Sequence, residues 1–397
     1  MLDRVNALTP GQGRLKEALE DESYSIVGVF GPTGVGKSLF ALAYGIGAVN
    51  SGKYKRLVVI RPVIDVTTGR EVSMAEAGPQ FMELSKQYVT DVLSGLMSWD
   101  EVKKLVDEGR LTFADSHYLR GRTFDSSVIF VDDAQSLRVE SLIEAVVRVG
   151  RNSRLIVAAD PIFQALRVRN QDPTSVMREI LAGEARAVVV DLGVKDIVRE
   201  GAKMGLRLVM EYLLRTRKLT DPELKTLETV RLKSPDSDVI TVLDVVRVAS
   251  GLNISFEHLP NYVVVVKKGH LGRLVGKGGE RISAIEKELG VRVRGVELDI
   301  DITDLIRAVH PVSWVWKRVL DVDFKGAYVS IEIEEGVFGA FVGQKGTYVR
   351  FLDALTRELF GIGVKVIPTD AKARHRPDEK PRRKGGGGAK EFRESGK

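Results

Sequence analysis

The chain of 397 residues has no cysteine, which excludes disulfides and thiolate metal sites and fits a reducing interior. Aromatic residues make up only 7% of it, and its five histidines (His117, His258, His270, His310, His375) are scattered without metal-ligand spacing. No apolar run is long enough to span a bilayer, and the opening residues Met1-Leu2-Asp3-Arg4 lack the pattern of a secretion signal. A cytoplasmic protein with no membrane partner is the expectation. Net charge is also missing from most of the chain. The formal charge is +6, but residues 371–397 hold ten Lys/Arg against four Asp/Glu, so the remaining 370 residues carry 50 of each sign. Whole-chain charge is therefore no argument for nucleic acid, and that case rests on local motifs.

What is present begins with length and a 44% hydrophobic share, enough for two or three globular domains. The apolar, β-branched run Ile26 to Phe30 ends in Gly31-Pro32-Thr33-Gly34-Val35-Gly36-Lys37-Ser38, and a helical pattern follows through Leu39, Phe40, Leu42, Ala43 and Ile46. Strand, glycine-rich turn and helix in that order make a phosphate-binding loop. Backbone N–H groups of the turn and the positive end of the helix suit the β-phosphate of ATP. Lys37 would neutralise the β- and γ-phosphate oxygens, and Ser38 would ligate Mg²⁺. Upstream, Gln12 follows Thr9-Pro10; its amide suits the adenine edge, and Thr9-Pro10 equally suits a plain helix start.

Further buried strands are predicted at 57–60, 111–113, 128–131, 155–158 and 187–190, with helices between them. The strand Val128 to Val131 ends in Asp132-Asp133-Ala134-Gln135, which places two carboxylates where open α/β sheets bind ligands. Asp132 would hold Mg²⁺, and Asp133 would orient or deprotonate the attacking water. Asp160 and Gln164, after the strand ending at Ala158, are placed to sense the γ-phosphate. A long amphipathic helix is expected from about Arg199 to Arg215.

Thr9-Pro10-x-Gln12, Gly31 to Ser38, Arg61-Pro62, Leu119-Arg120-Gly121-Arg122-Thr123, Asp132 to Gln135, Asp160-x3-Gln164 and Asp196-Ile197-Val198-Arg199 follow one another. In this order they resemble the PhoH-like ATPases over residues 1–216. The resemblance implies a core like the first RecA-like domain of superfamily 1 helicases and, since rings of six are known among those proteins, a homo-oligomer, perhaps a hexameric ring. The chain departs from the family pattern in three places. Asp133 stands where Glu is usual, Ala159 where Gly is usual, and the glycine–proline segment after Arg61-Pro62 is not recognisable in residues 63–80. Residues 217–255 are too few for a second motor domain and are predicted as a connector of two helices, one around Leu224, Leu227 and Val230, the other around Val239, Val242, Val245 and Val246. A second wall for the nucleotide would then come from another subunit, with Arg120, Arg122, Arg148 and Arg199 as candidate arginine fingers in trans.

Near the C-terminal end one pattern occurs twice. A strand from Tyr262 leads to Gly269, Gly272 and Gly276-Lys277-Gly278-Gly279; a strand from Tyr328 leads to Gly336, Gly339 and Gly343-Gln344-Lys345-Gly346. Four glycines recur in register, which chance explains poorly. The pattern resembles two K-homology (KH) domains, at 256–300 and at 301–369 with a preceding helix. KH glycine loops clamp single-stranded backbone, RNA or DNA. Glycine lets phosphates approach closely, the following helix adds positive potential, and Lys277 and Lys345 add charge. Trp314-Val315-Trp316 suits either a base-stacking platform or core packing. Residues 370–397, rich in Lys, Arg, Pro and Gly, are expected to be a disordered basic tail. The expected fold class is α/β: a RecA-like parallel sheet, two small KH-like domains and that tail. The expected function is Mg²⁺-dependent ATP hydrolysis coupled to single-stranded nucleic acid, with an ATP-gated RNA-binding switch of little turnover as the alternative.

Overall fold

The computed structural model describes residues 1–65, 67–116, 119–163, 173–252 and 259–370. Gln164, His117, His258 and the basic tail from 371 onward lie outside the described residues. The first half runs α1 (Pro10–Glu20), β1 (Ile26–Phe30), α2 (Lys37–Asn50) and β2 (Arg56–Ile60). A small hairpin, β3 (Val63–Asp65) and β4 (Arg70–Val72), and three helices, α3 (Met74–Ala77), α4 (Pro79–Val92) and α5 (Trp99–Asp107), come next. Then follow β5 (Leu111–Ala114), β6 (Ser127–Val131), α6 (Val139–Val147), β7 (Arg154–Ala159), α7 (Pro173–Ala182), β8 (Ala187–Asp191) and α8 (Glu200–Arg215).

Six of these strands form one parallel sheet in the order β5-β2-β6-β7-β1-β8. Side chains alternate between two apolar layers, as the period of two requires. Val27, Val29, Leu57, Val59, Val128, Phe130 and Ile156 face the layer that holds α2, whereas Phe30, Val58, Ile60, Ile129, Val131, Leu155 and Val157 fill the other. Helices on both faces explain why these strands read as continuous apolar runs. Every strand predicted in this half is present.

The second half corrects the predicted connector. After α9 (Asp221–Lys233), residues Val239–Asp244 form a strand, β9, and only then does α10 (Val245–Gly251) begin. The valines at 239, 242, 245 and 246 mimic a helical period. The run Val239-Ile240-Thr241-Val242 is nevertheless β-branched throughout and pairs antiparallel with β10 (Tyr262–Val266), a pairing visible only in three dimensions. The chain continues with α11 (Leu271–Val275), α12 (Glu280–Leu289), β11 (Val293–Glu297) and α13 (Thr303–Val309). It ends with β12 (Val319–Lys325), β13 (Tyr328–Glu334), α14 (Phe338–Val342), α15 (Thr347–Phe360) and β14 (Val364–Thr369). Each repeat thus has a three-stranded mixed sheet, β11-β10-β9 and β12-β13-β14, with one antiparallel and one parallel pair. The helix α13, expected with the second repeat, packs on β11 of the first.

The two repeats rest on different supports. On the face of its sheet that carries α11 and α12, the first encloses a core of its own from Leu227, Val230, Val242, Val264, Leu274 and Ile285. On the other face Ile240, Leu243, Val263, Val265 and Val296 join the larger cluster of the chain. The second has no such separate core. Phe324, Ile331, Phe351 and Leu355 join one apolar cluster with Leu192, Val194, Leu206 and Met210 of the first half, and α15 lies against α8. Backbone bonds reinforce this contact: Gly326 N–H donates to the Leu192 carbonyl at 3.1 Å, and Gly193 bridges to Lys325. Among the described residues no helix is long and apolar enough to cross a membrane.

Candidate nucleotide site and glycine loops

β1 ends at Phe30 and delivers the glycine turn at the carboxyl edge of the sheet. Gly31 sits so close to the following segment that a Cβ there would lie 2.5 Å from the Leu192 carbonyl oxygen. Gly34 and Gly36 have φ of 87° and 95°, the left-handed region that other residues occupy only under strain. Lys37 opens α2, and its ammonium donates to the carbonyls of Gly31 and Pro32 at 2.7 and 2.8 Å. Desolvation under the turn lowers its pKa, against the pull of Asp160, Asp132 and Asp133. Ser38 donates its hydroxyl to Asp132 Oδ2 at 2.8 Å, which brings together two residues 94 positions apart.

Asp132 and Asp133 leave β6 beside the end of β2, since Val131 pairs with Ile60. Burial, then the charge of Asp133, raises the Asp132 carboxyl above its ordinary range. Asp133 is held at φ 50°, with its Oδ2 taking the Arg61 guanidinium at 3.0 Å and its Oδ1 taking Gln135 Nε2 at 3.2 Å. Gln135 also accepts the N–H of Asp160 at 2.9 Å. Buried Asp160, its pKa raised by that burial, accepts the Thr33 N–H at 3.1 Å on one oxygen and those of Ile162 and Phe163 on the other. The acid pair, Asp160 and the phosphate turn therefore form one hydrogen-bonded unit. Gln12 joins it from behind: its amide donates to the Val35 carbonyl at 3.0 Å and accepts the Leu8 N–H at 2.8 Å. That commits one donor and one acceptor of the group assigned to adenine. The helix start at Thr9-Pro10 is present as well, with Thr9 capping α1.

Two neighbours of the acid pair were not predicted as site residues. Tyr88 on α4 donates its hydroxyl to Asp132, and the Arg61 guanidinium lies 4.3 Å from the centre of the Tyr88 ring. Arg61 stood in the sequence only as part of the Arg61-Pro62 motif, and the pairing of β2 with β6 brings it to Asp133. Tyr88 read only as one apolar position of a helix. The four candidate fingers have different surroundings, although two of them share one partner. Arg120 and Arg148 both pair with Glu144, Arg122 lies 5.0 Å from the Phe124 ring centre, and Arg199 caps α8 with its Nε near Gly34.

The two glycine loops turn alike. Gly276, Gly278 and Gly279 have φ of 75°, 61° and 86°; Gly343, Lys345 and Gly346 have 75°, 53° and 74°. Lys345 thus takes the left-handed position that Gly278 occupies in the first loop. Lys277 and Lys345 are exposed, and a Cβ at Gly278 or Gly279 of the first loop or at Gly346 of the second would meet no atom within 4 Å, so both loops open to solvent. Between β11, α13 and Trp316 a cavity of about 660 Å³ is lined by Leu271 of α11, Arg294 and Glu297 of β11, Arg307 of α13, and Trp316. Trp314 is 56% exposed, whereas Trp316 packs edge-on to His310 and Phe341, as the core-packing alternative expects. His310 is a core residue, hydrogen-bonded through both ring nitrogens, and burial lowers its pKa.

A family model described as PhoH-like protein matches residues 4–211, and one described as KH domain matches residues 244–308. Protein PhoH2 of Mycolicibacterium smegmatis is 31% identical over 169 residues, 42% of this chain and 39% of its own. A PhoH-like protein of Bacillus subtilis is 24% identical over 198 residues, 49% of this chain and 60% of its own. One of Mycobacterium leprae is 27% identical over 212 residues, 53% and 57% respectively. The chain therefore spans less than two thirds of the length of these relatives. Among solved structures, a DNA replication initiation factor aligns with 72% of this chain and 82% of its own at 13% identity, with a TM-score of 0.24 that bears no weight. The KH match begins at Asp244, the last residue of the corrected strand, and ends at residue 308 in α13, in keeping with the packing of that helix on the first repeat. With its phosphate turn, acid pair and parallel sheet all inside the first match, which covers more than half of the chain, the protein belongs to the PhoH-like family.

Proposed function

We propose that the chain hydrolyses ATP with Mg²⁺ and couples the hydrolysis to single-stranded nucleic acid, RNA in the first instance, held at the glycine loops. The observation that carries the ATPase reading is the Ser38–Asp132 contact at 2.8 Å, which juxtaposes the turn and the acid pair as a hard, oxygen-only donor set. Asp132 and Ser38 would hold Mg²⁺, whose bound charge would neutralise the β- and γ-phosphate oxygens. Lys37 would leave the carbonyls of Gly31 and Pro32 for those oxygens. Asp133 would take a proton from the attacking water as the bond from the γ-phosphorus to the β-bridging oxygen breaks. Asp160, bonded to Thr33, would register the γ-phosphate; Gln164 belongs to the same proposal on sequence alone. On the strand side, the open loops, Lys277, Lys345 and the exposed Trp314 suit phosphates and a base.

Self-association fits two exposed apolar stripes, Val139, Ile143 and Val147 on α6 and Met204, Leu208 and Tyr212 on α8. A neighbouring copy is then the source of any arginine in trans. A second reading, an ATP-gated switch with little turnover, is favoured by the tether of Asp133 to Arg61 and Gln135 and by its short side chain.

Steady-state hydrolysis of Mg²⁺–ATP with and without RNA and DNA oligonucleotides tests the proposal. Lys37→Ala should abolish saturable ATP uptake, and Asp133→Asn should keep uptake and lower turnover by about 100-fold. Wild-type turnover in Asp133→Asn refutes the base assignment. Tight ATP binding with negligible turnover at every oligonucleotide concentration selects the switch.

A further inference from the structure

The second repeat reaches the nucleotide site by two routes that meet on β12. In the first, Asp160 holds the Thr33 N–H with one oxygen and the Phe163 N–H with the other, at 3.1 and 2.9 Å. The Phe163 ring meets Phe324 edge-on at 5.2 Å between centroids, and Phe324 meets Phe360 at the same distance. Phe360 is the last residue of α15, and the first residue of α15, Thr347, directly follows the glycine loop Gly343 to Gly346. A helix of 14 residues is about 21 Å long, which is the span from the glycine loop to Phe360.

The second route braces the first. Asp323 accepts the N–H groups of Val194 and Lys195 at 3.1 and 3.4 Å. The same turn carries Asp196, whose carboxylate takes the Thr9 hydroxyl, the Gly11 N–H and the Gly193 N–H at 2.7, 3.1 and 2.8 Å. Those groups set the turn that leads into Gln12. The fit is close: a Cβ at Gly193 would lie 1.9 Å from Asp323 Oδ2.

We propose that the Phe163–Phe324 contact, braced by Asp323, transmits occupancy of the nucleotide site along α15 to the second glycine loop, and strand occupancy back to the nucleotide. Packed interfaces of this kind switch between discrete arrangements and so amplify sub-ångström shifts. By linkage, the factor by which nucleotide changes strand affinity must equal the factor by which strand changes nucleotide affinity. The inference rests on the proposed binding of ATP and a single strand to this chain.

The test uses the full chain and fluorescence anisotropy of a labelled oligouridylate, with and without Mg²⁺ and a non-hydrolysable ATP analogue. The wild type should show strand affinities that differ by about fivefold or more between the two conditions. Phe163→Leu, Phe324→Leu and the double variant should each bring that ratio to about one, with no further loss in the double variant. Each variant should still bind either ligand alone saturably. Asp323→Asn should reduce the ratio in part. A merely structural contact would change melting temperature and leave the ratio intact. A ratio that persists in Phe163→Leu, or a wild-type ratio of one with both ligands bound, overturns the proposal. Should Phe324→Leu fail to fold, Phe163→Leu reads the same contact from the other side. Failure of the wild type to bind nucleotide or strand is a different outcome and refutes the functional reading instead.

Discussion

Gly276-Lys277-Gly278-Gly279 and Gly343-Gln344-Lys345-Gly346 turn alike between two helices, yet the cores beneath them are built differently. Under the first lies a separate apolar cluster, with Ile285 and Leu274 at its centre. Under the second, Phe341 and Phe351 belong to the same cluster as Leu192 and Met210 of the nucleotide half. The first repeat has α9 beside α12, whereas α15 of the second lies against α8 and α10. One ionic cluster ties the two together, with Arg217 bonded at 2.9 Å to both Glu223 beneath the first repeat and Glu358 on α15 of the second. A motif copied within a chain can thus keep its loop while its support changes. Under the proposal above, the first repeat would hold the strand and the second would communicate with the nucleotide.

The largest effect that sharpens this contrast is on stability. Phe324→Ala should cost about 3–5 kcal/mol and lower the melting of the nucleotide half together with the second repeat. Ile285→Ala should cost about 2–5 kcal/mol and open the first repeat alone. Hydrogen exchange resolved by segment distinguishes the two patterns, and a nucleotide half indifferent to Phe324→Ala breaks the contrast.

A pH effect follows from Asp323, whose carboxyl burial pushes up to about 7. The charged groups facing it are Lys195, Asp321 and Asp196. A carboxyl raised in the folded protein favours its protonated form there. Its contribution is therefore whole below the unfolded value near 4 and is lost as pH rises through about 7. Docking of the second repeat should weaken across that window, and Asp323→Asn should flatten the profile in thermal melts taken from pH 5 to 8. No matching slope is expected from the first repeat.

The smallest effect is local. Lys345 sits at φ 53° where the first loop has glycine, so Lys345→Gly should gain about 0.5–1 kcal/mol by relieving backbone strain. Gly278→Ala in the first loop should lose a similar amount, about 1 kcal/mol, although its Cβ would meet open space. Equal responses of the two loops in chemical denaturation would contradict the difference in backbone strain.

Much of the nucleotide site was legible because its signals are local. Gly31 to Ser38 sits between an apolar strand and a helix, and Asp132-Asp133 ends another strand; neither needs a distant partner to be read. Distant pairing hid the rest. Val239 to Asp244 passed for a helix because only β10 reveals it as a strand. Tyr88 was one apolar helix position until the fold set its hydroxyl on Asp132, 44 residues away. Arg120 and Arg148 stood out as arginines, but nothing near them in sequence marked Glu144 as their shared partner. The docking of the second repeat depends on Gly193 and Asp323, two unremarkable residues whose closeness is a property of the tertiary structure.

The central claim is that hydrolysis at Lys37, Asp132 and Asp133 responds to a strand at the glycine loops. Its most direct test is the steady-state ATPase rate titrated with single-stranded RNA, for the wild type and for Lys277→Glu. The wild type should show saturable stimulation, and the variant an unchanged rate without RNA and a half-saturating RNA concentration raised about tenfold at physiological salt. A rate indifferent to RNA at every concentration, or stimulation that ignores the charge at position 277, would contradict the claim.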